Sequence, residues 1–255
     1  MSSNSPMRVT AALLVIGDEI LSGRTKDKNI GFLADYLTAI GIELREVRVV
    51  PDDEAAIIEG IHALRSRNTY LFTTGGIGPT HDDITADCVA KALGVSIDHD
   101  PRAVALLRER YPDPKDLNES RLRMARLPAG ADLIDNPISK APGFMVANVI
   151  VMAGVPSIMQ AMLENVTPRL QTGVKLQSLS VDSGGLPEGI YASGLGAIQK
   201  DHPDVIIGSY PHFDGQNFRN QIVLRGRAFD ALERAKAAVE AMLKGLAEND
   251  KAIPL

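Results

Sequence analysis

The first half of the chain alternates short apolar runs with stretches in which apolar residues recur every three or four positions. Val9–Ile16 is apolar almost throughout, which is typical of a strand buried on both faces of a parallel sheet. Ile42–Val50 and Tyr70–Thr74 have the character of two further strands. This alternation predicts a parallel sheet covered by helices on both sides.

Helices are predicted between these strands and after them. Gly41 and Gly94 suit the left-handed residue that ends a helix, and Asp100 before a proline suits a helix start. Asp52 or Asp53 can cap the helix that follows the second strand. The predicted helices cover residues 30–40, about 53–65, 86–93, from 101 onward, 118–126 and from 156 onward, with another strand at 148–153.

The pattern changes near residues 171–173. From there it predicts strand 175–181, helix 187–200, strands 205–210 and 221–227, and helix 229–246. Two adjacent strands between helices indicate a small α+β domain. We therefore expect a disordered N-terminus at 1–7, an α/β domain at 8–172 and a small α+β domain at 173–255.

Composition and charge exclude several classes of protein. With 45% hydrophobic and 23% charged residues, the chain can bury a core and is not intrinsically disordered. Its 27 basic and 32 acidic residues give a net charge of −5, so a nucleic-acid partner is not expected. Polar residues open the chain, no apolar stretch reaches the ~18–20 residues that span a bilayer, and Cys88 is the only cysteine. We expect a cytoplasmic protein without a membrane partner.

Acidic residues and glycines follow each of the first three predicted strands. The first loop contains Asp18 and Glu19, the second contains Asp52 and Asp53, and the third is the glycine-rich stretch 75–85. Parallel strands end at one edge of a sheet, so the loops that follow them gather at that edge. The sequence therefore predicts one ligand site built from these three loops.

The third loop has the features of a phosphate site. Gly75, Gly76 and Gly78 allow a sharp turn and a close approach of the backbone to a ligand. A helix is predicted just beyond, and its free amides and positive end favour an anion. The spacing matches neither a Walker loop nor a dinucleotide fingerprint. A strand-to-helix connection also needs glycines, so a purely structural role remains an alternative.

The acids of these loops suggest a bound cation. Asp82 or Asp83 can cap the helix that follows, but two adjacent acids near Asp52, Asp18 and Glu19 exceed what capping requires. A carboxylate cluster repels phosphate unless a cation lies between them, and Mg²⁺ commonly takes one or two carboxylates together with phosphate oxygens. The loops therefore predict metal-assisted chemistry at a phosphate anhydride.

The same loops resemble the molybdopterin-binding (MoaB/Mog) domain family, in its CinA-like form, the N-terminal part of competence/damage-inducible protein A. This resemblance covers about residues 8–170 and implies a three-layer αβα fold with a mainly parallel sheet. The deamidase domain of CinA-type proteins has no counterpart here, so deamidation is not expected. The matching segments are residues 17–23, 51–53, 74–85, 127–128, 136–137, 141–144 and 154–156.

The resemblance also implies an activity and a set of site residues. CinA-like domains are associated with metal-dependent cleavage of the pyrophosphate bond in ADP-ribose and FAD. Asp52 and Asp83 correspond to functional acids of the family and are expected to be catalytic and to hold Mg²⁺, Co²⁺ or Mn²⁺, with Asp82 as a further ligand. The expected phosphate- or nucleotide-binding residues are Gly75, Gly76, Gly78, Pro79, Thr80, Asp18, Glu19 and Ser22.

Two alternative functions remain open at this stage. One is molybdopterin adenylyltransferase activity in molybdenum cofactor biosynthesis, in which molybdopterin is the ligand. The other is a module that binds a pterin or nucleotide without turnover, in which the acids are only helix caps. In each case the expected partner is a small molecule, and the protein is expected to form a homo-oligomer, either a dimer or a trimer.

Overall fold

The computed structural model describes residues 8–213 and 218–250, and the chain divides into two compact units between Gly173 and Val174. The expected disorder at 1–7 lies outside the described residues. Within the described residues, no helix combines the length and the apolar character needed to cross a membrane.

A six-stranded sheet forms the centre of the first unit, in the order β2-β1-β3-β8-β7-β6. Strands β2, β1, β3 and β8 pair in parallel, whereas β7 pairs in antiparallel fashion with both β8 and β6 at one edge of the sheet. The predicted parallel sheet is thus mainly, not wholly, parallel. The strands of this unit are β1 Val9–Ile16, β2 Ile42–Val50, β3 Tyr70–Thr74, β4 Ile97–His99, β5 Arg126–Pro128, β6 Asp132–Ile134, β7 Gly143–Val146 and β8 Val149–Met152.

Helices cover both faces of this sheet. Along β1, Leu13 and Val15 face one core with α2 and α7, whereas Leu14 and Ile16 face another core with α3 and α4. All four side chains are at most 2% exposed, as expected for a strand buried on both sides. The helices are α1 Asp18–Leu21, α2 Asn29–Ala39, α3 Glu54–Arg65, α4 Thr85–Leu93, α5 Pro101–Arg110, α6 Glu119–Leu122 and α7 Pro156–Val166.

Several helix boundaries have local causes. The Asp53 carboxylate accepts a hydrogen bond from the Ala56 amide at 2.9 Å and caps α3. Asp100 caps α5 through the Arg102 amide at 2.8 Å. Gly94 ends α4 in the left-handed conformation, with φ of 67°. These ends agree with the sequence, apart from the choice between the two aspartates before α3.

Four short strands depart from the predictions. Strand β4 pairs with β5, and β6 pairs with β7, both in antiparallel fashion. Gly143 begins β7, and a Cβ there would lie 2.4 Å from the Val151 carbonyl oxygen. Strands of three or four residues are too short to show a period of two, so tertiary pairing determines them.

The second unit contains β9 Gln177–Asp182, α8 Glu188–Asp201, β10 Val205–Phe213, β11 Phe218–Gly226 and α9 Phe229–Asp250. Its antiparallel sheet has the order β10-β11-β9. Ile222 and Leu224 of β11 are fully buried and pack in one cluster with Tyr191, Leu232 and Val239 of the two helices. The predicted order of strand, helix, two strands and helix is found.

Candidate functional site

The carboxyl ends of the parallel strands open into a cleft of about 460 Å³. This volume lies in the range of roughly 300–1,000 Å³ that is usual for small-molecule sites. The three predicted loops meet here, and two later parts of the chain complete the cleft. The lining residues fall within segments 16–25, 52, 75–83, 124–141 and 153–162.

Backbone constraints fix the glycine loop at the base of the cleft. Gly75 and Gly76 have φ of 102° and 65°, which side-chain-bearing residues rarely adopt. A Cβ would lie 2.1 Å from the Ile16 carbonyl oxygen at Gly75, and 2.2 Å from Thr85 Oγ1 at Gly76. The Thr85 hydroxyl donates to the Gly75 carbonyl oxygen and its amide to the Gly76 carbonyl oxygen, both at 3.0 Å. The loop is thereby tied to the first residue of α4.

Asp83 holds the second half of this loop. Its Oδ2 accepts hydrogen bonds from the Thr80 hydroxyl and, at 2.8 Å, from the Thr80 amide. A Cβ at Gly78 would lie 2.6 Å from that same oxygen, so a side chain there would displace the Asp83 carboxylate. The expectation that Asp82 or Asp83 caps α4 was wrong, because Ile84 occupies the cap position and no side chain caps this helix.

The candidate anion donors that line the cleft belong to the glycine loop. The Thr85 amide, the first of α4, is already bonded to Gly76, and the Gly75 amide donates to the Met152 carbonyl oxygen at 3.2 Å. By contrast, the amides of Gly76, Ile77 and Gly78 donate no hydrogen bond within the described residues. These three residues line the cleft. Their backbone N–H groups are therefore free to hold an anion.

Asp52 lies at the end of β2 and faces the same cleft. Its Oδ2 accepts a hydrogen bond from the Asp18 amide at 3.0 Å. Burial raises the pKa of the Asp52 carboxyl above its ordinary value, and the nearby charges of Asp18, Glu19 and Asp82 raise this pKa further, against the effect of the amide. Since Asp53 caps α3, the two adjacent aspartates have separate roles.

The charged part of the cleft lining is entirely acidic. Glu19, Asp52, Asp82 and Asp83 line it, and none of the described lining residues is a lysine, arginine or histidine. In the described part of the chain, no group of three or more histidine, cysteine, aspartate or glutamate side chains is placed to hold a metal ion. The acids alone do not form a closed metal cage, and an anionic ligand would need a cation between it and these carboxylates.

Three predicted residues lie outside the cleft lining. The backbone amide of Asp18 donates a hydrogen bond to Asp52, and the Asp18 carboxylate does not line the cleft. Ser22 is exposed and ends the one-turn helix α1. Pro79 is also exposed, next to Thr80, which does line the cleft. The other predicted residues, Glu19, Asp52, Gly75, Gly76, Gly78, Thr80, Asp82 and Asp83, all line it.

A turn that the sequence shows only as a proline-containing break forms another part of the wall. Asn136 is 1% exposed and lines the cleft with Ser139. Its Oδ1 accepts from the amides of Ile138 and Ser139 at 3.1 and 3.2 Å, and its Nδ2 donates to the Ala141 carbonyl oxygen at 2.8 Å. Asn136 is thus a structural residue that shapes the cleft.

The end of β8 completes the cleft. A Cβ at Gly154 would lie 3.3 Å from the Gly75 Cα, so the two loops touch. Asn29 supports this contact by donating from Nδ2 to the Gly154 carbonyl oxygen at 2.8 Å. The rest of this wall is apolar, and it includes Val155, which is 54% exposed. A ligand here would meet acids and free amides together with an aliphatic surface, which Ala153, Pro156, Ile158 and Met162 extend.

The fold and the cleft define an α/β protein with an acidic, glycine-lined ligand site at the carboxyl edge of its sheet. Residues 12–172 match the family described as a probable molybdopterin binding domain, and the chain belongs to this family. Residues 183–251 match the middle domain of FAD synthase.

Related proteins extend this comparison. A protein of Aeropyrum pernix is 32% identical over 262 residues, covering 94% of this chain and 97% of its own length. A CinA-like protein of Desulfosudis oleivorans is 39% identical over 201 residues, covering 73% of this chain and 49% of its own. A probable FAD synthase of Caenorhabditis briggsae is 29% identical over 262 residues, covering 93% of this chain and 50% of its own.

A solved structure supports the fold as well. The protein CinA from Thermoplasma acidophilum is 34% identical and superimposes with a TM-score of 0.60, over 64% of this chain and 98% of its own. The predicted family and the predicted α/β fold are both confirmed.

Proposed function

We propose that this protein hydrolyses the pyrophosphate bond of an ADP-containing nucleotide with the help of a divalent cation. One observation carries the proposal, namely that three unpaired loop amides lie beside four carboxylates in a cleft whose described lining has no basic side chain. The amides suit phosphate oxygens, whereas the carboxylates exclude phosphate unless a cation accompanies it. A metal-complexed diphosphate satisfies both groups.

The acids suit a cation that is shared with the ligand. In both Asp52 and Asp83, Oδ2 accepts hydrogen bonds from the chain, whereas Oδ1 has no hydrogen bond among the described residues. Mg²⁺, Mn²⁺ or Co²⁺ would be held by these two oxygens, while phosphate and water supply the remaining positions. Asp82, expected from the sequence as a further ligand, is not placed to join them as a third acidic ligand. When bound, such a cation neutralises charge on the anhydride and polarises the phosphorus that is attacked.

The chain's own groups perform the other tasks. The amides of the Gly76–Gly78 loop would bind the phosphate oxygens and orient the anhydride. Asp52 would orient the attacking water beside the cation, and the proton of that water would pass to the solvent. Because Thr80 holds Asp83, that carboxylate would keep its position during the reaction.

The similarity to FAD synthases favours a flavin nucleotide among the candidate substrates. The second unit matches the middle domain of FAD synthase, and a relative that aligns with nearly the whole chain is named a probable FAD synthase. FAD contains an ADP group joined through a pyrophosphate bond, as ADP-ribose does. We therefore propose FAD and ADP-ribose as the first substrates to test.

The test is release of AMP from FAD or ADP-ribose in the presence of Mg²⁺, Mn²⁺ or Co²⁺, followed by chromatography. We expect metal-dependent release in the wild type and a loss of about 100-fold or more in Asp83→Asn and in Asp52→Asn. Asp53→Asn is the matched control, because asparagine also caps helices well and the change removes the same charge one residue away.

The outcome also separates the alternatives. Absence of AMP release with every metal, or release that Asp83→Asn leaves intact, would overturn the hydrolase proposal. Transfer of AMP from ATP to molybdopterin would instead establish an adenylyltransferase. Tight binding of a pterin or nucleotide without any turnover would establish a binding module.

A further inference from the structure

Arg123 lies next to the glycine loop and is not among the residues that line the main cleft. It lines a small space of about 20 Å³ that is bounded by Gly76, Ile77, Gly78, Asp83 and other residues. These four residues also line the main cleft, so the loop borders both spaces. The Arg123 guanidinium donates from Nη2 to the Asp83 carbonyl oxygen at 3.4 Å, which is a long hydrogen bond.

The charge of Arg123 is not compensated within the described part of the chain. No carboxylate there lies within 4 Å of its guanidinium, and its Nε is buried without a hydrogen-bond partner. Neighbouring arginines differ, because Arg126 forms a two-bond ion pair with Asp87 at 2.7 and 3.0 Å. A buried donor without a partner costs stability, so its presence next to a ligand loop calls for a functional reason.

We propose that Arg123 is the positioning residue of the phosphate subsite. It supplies, from beside the Gly76–Gly78 loop, the positive charge that the lining of the cleft lacks, and it steadies the Asp83 main chain. The inference rests on the proposed function in that the ligand carries a diphosphate.

The glycines make this indirect action effective. Neither Gly76 nor Gly78 has a side chain that would add to the distance between the guanidinium and an anion bound at the loop amides, and the proposal places that anion across the loop backbone from Arg123. In a partly buried setting with a low local dielectric, a fixed charge acts strongly over such a short path. The same charge also offsets the repulsion that Asp82 and Asp83 exert on phosphate.

The test is the affinity for inorganic pyrophosphate in the presence of Mg²⁺, measured by calorimetry on the full chain. Arg123→Met keeps an unbranched apolar chain in place of the aliphatic part of arginine and removes the charge, Arg123→Lys keeps the charge, and Arg121→Met is the matched control. Arg121 lies two residues away, stacks on the Tyr111 ring at 4.1 Å and lines neither space.

We expect Arg123→Met to bind pyrophosphate about tenfold more weakly or worse, the effect typical of losing one charge-assisted contact. Arg123→Lys should recover most of the affinity, and Arg121→Met should behave like the wild type. The affinity of Arg123→Met for pyrophosphate should also fall less with added salt than that of the wild type, because salt screens the charge that the variant lacks. A purely structural role of Arg123 would leave this salt dependence unchanged.

Four results would overturn the inference. The first is an unchanged affinity for pyrophosphate in Arg123→Met, and the second is a loss of affinity in Arg121→Met equal to that in Arg123→Met. The third is a loss of affinity in folded Arg123→Lys as large as that in Arg123→Met. The fourth is that the wild type does not bind pyrophosphate. AMP release is scored separately. Arg123-dependent binding without AMP release would retain this inference and reject the hydrolase. If AMP release needs Asp83 but Arg123→Met binds pyrophosphate normally, the hydrolase proposal is retained and this inference is rejected.

Discussion

Replacing Gly76 by alanine tests how the glycine loop is held, and Gly94 provides the comparison. Both glycines adopt nearly the same conformation, with φ of 65° and 67°, and they lie on either side of α4. A Cβ at Gly76 would lie 2.2 Å from Thr85 Oγ1, whereas a Cβ at Gly94 would meet nothing within 4 Å. The two substitutions therefore share the backbone strain and differ in the clash.

The magnitudes follow from these contacts. An alanine in the left-handed conformation costs roughly 1–2 kcal/mol, and this is partly offset by about 0.4–1 kcal/mol from the more restricted unfolded chain. Gly94→Ala should therefore lower the free energy of unfolding by about 1 kcal/mol. Gly76→Ala should also displace the buried Thr85 hydroxyl from the Gly75 carbonyl oxygen, which adds about 1–3 kcal/mol.

The single cysteine gives an assay that is specific to the first unit. Cys88 lies in α4 and is 1% exposed, and burial raises the pKa of its thiol to about 12, so the folded protein should react slowly with thiol reagents. Labelling of Cys88 during a urea titration therefore reports the unfolding of this unit. Equal losses in the two variants, or a larger loss in Gly94→Ala, would show that the Thr85 contact does not hold the loop.

Three further predictions concern single side chains. Asp53→Ala should lower the free energy of unfolding by about 1 kcal/mol because a helix cap is lost, whereas Asp53→Asn should not. The pKa of Asp52 is raised in the folded protein, so the contribution of Asp52 to the free energy of unfolding should fall as the pH rises from near 3.8 through the raised pKa, whereas a carboxyl with a lowered pKa, such as Asp100, contributes in the opposite sense. Denaturation of Asp52→Asn across this range should lack that decline, and a parallel decline in both proteins would contradict the assignment. Without denaturant, iodoacetamide should leave Cys88 unmodified for as long as the native circular dichroism persists, and rapid modification would show that α4 opens locally.

The fold was predictable where a strand is apolar along nearly its whole length. Val9–Ile16 and Tyr70–Thr74 are strands with the predicted bounds, because continuous apolar runs fit a doubly covered sheet. The antiparallel edge was not predictable, since Asp132–Ile134 and Gly143–Val146 are too short to carry a periodic pattern. Their identity as strands depends on contacts with residues far away in the sequence.

The part of the candidate site that follows from the order of the parallel strands was predictable from the sequence. Loops after parallel strands meet at one edge, which brought Asp52 and the glycine loop into one cleft. The pattern could not show that Asp53 and not Asp52 caps α3, because both precede the helix. The sequence pattern also could not identify Asn136 or Arg123. The hydrogen bonds by which Asn136 shapes the cleft wall exist only in the folded chain. The same is true of the buried Arg123 Nε that has no hydrogen-bond partner.

The separation of the cleft-forming segments along the chain has a consequence for biosynthesis. Residues near Ile16 leave the ribosome early, whereas β8 and the wall that ends at Met162 follow only when most of the first unit has been translated. Strand β8 must then pair beside β3, a contact between distant parts of the chain, and such contacts form slowly. A nascent chain therefore has no complete pocket to offer a nucleotide, and ligand cannot assist folding until this last insertion has occurred.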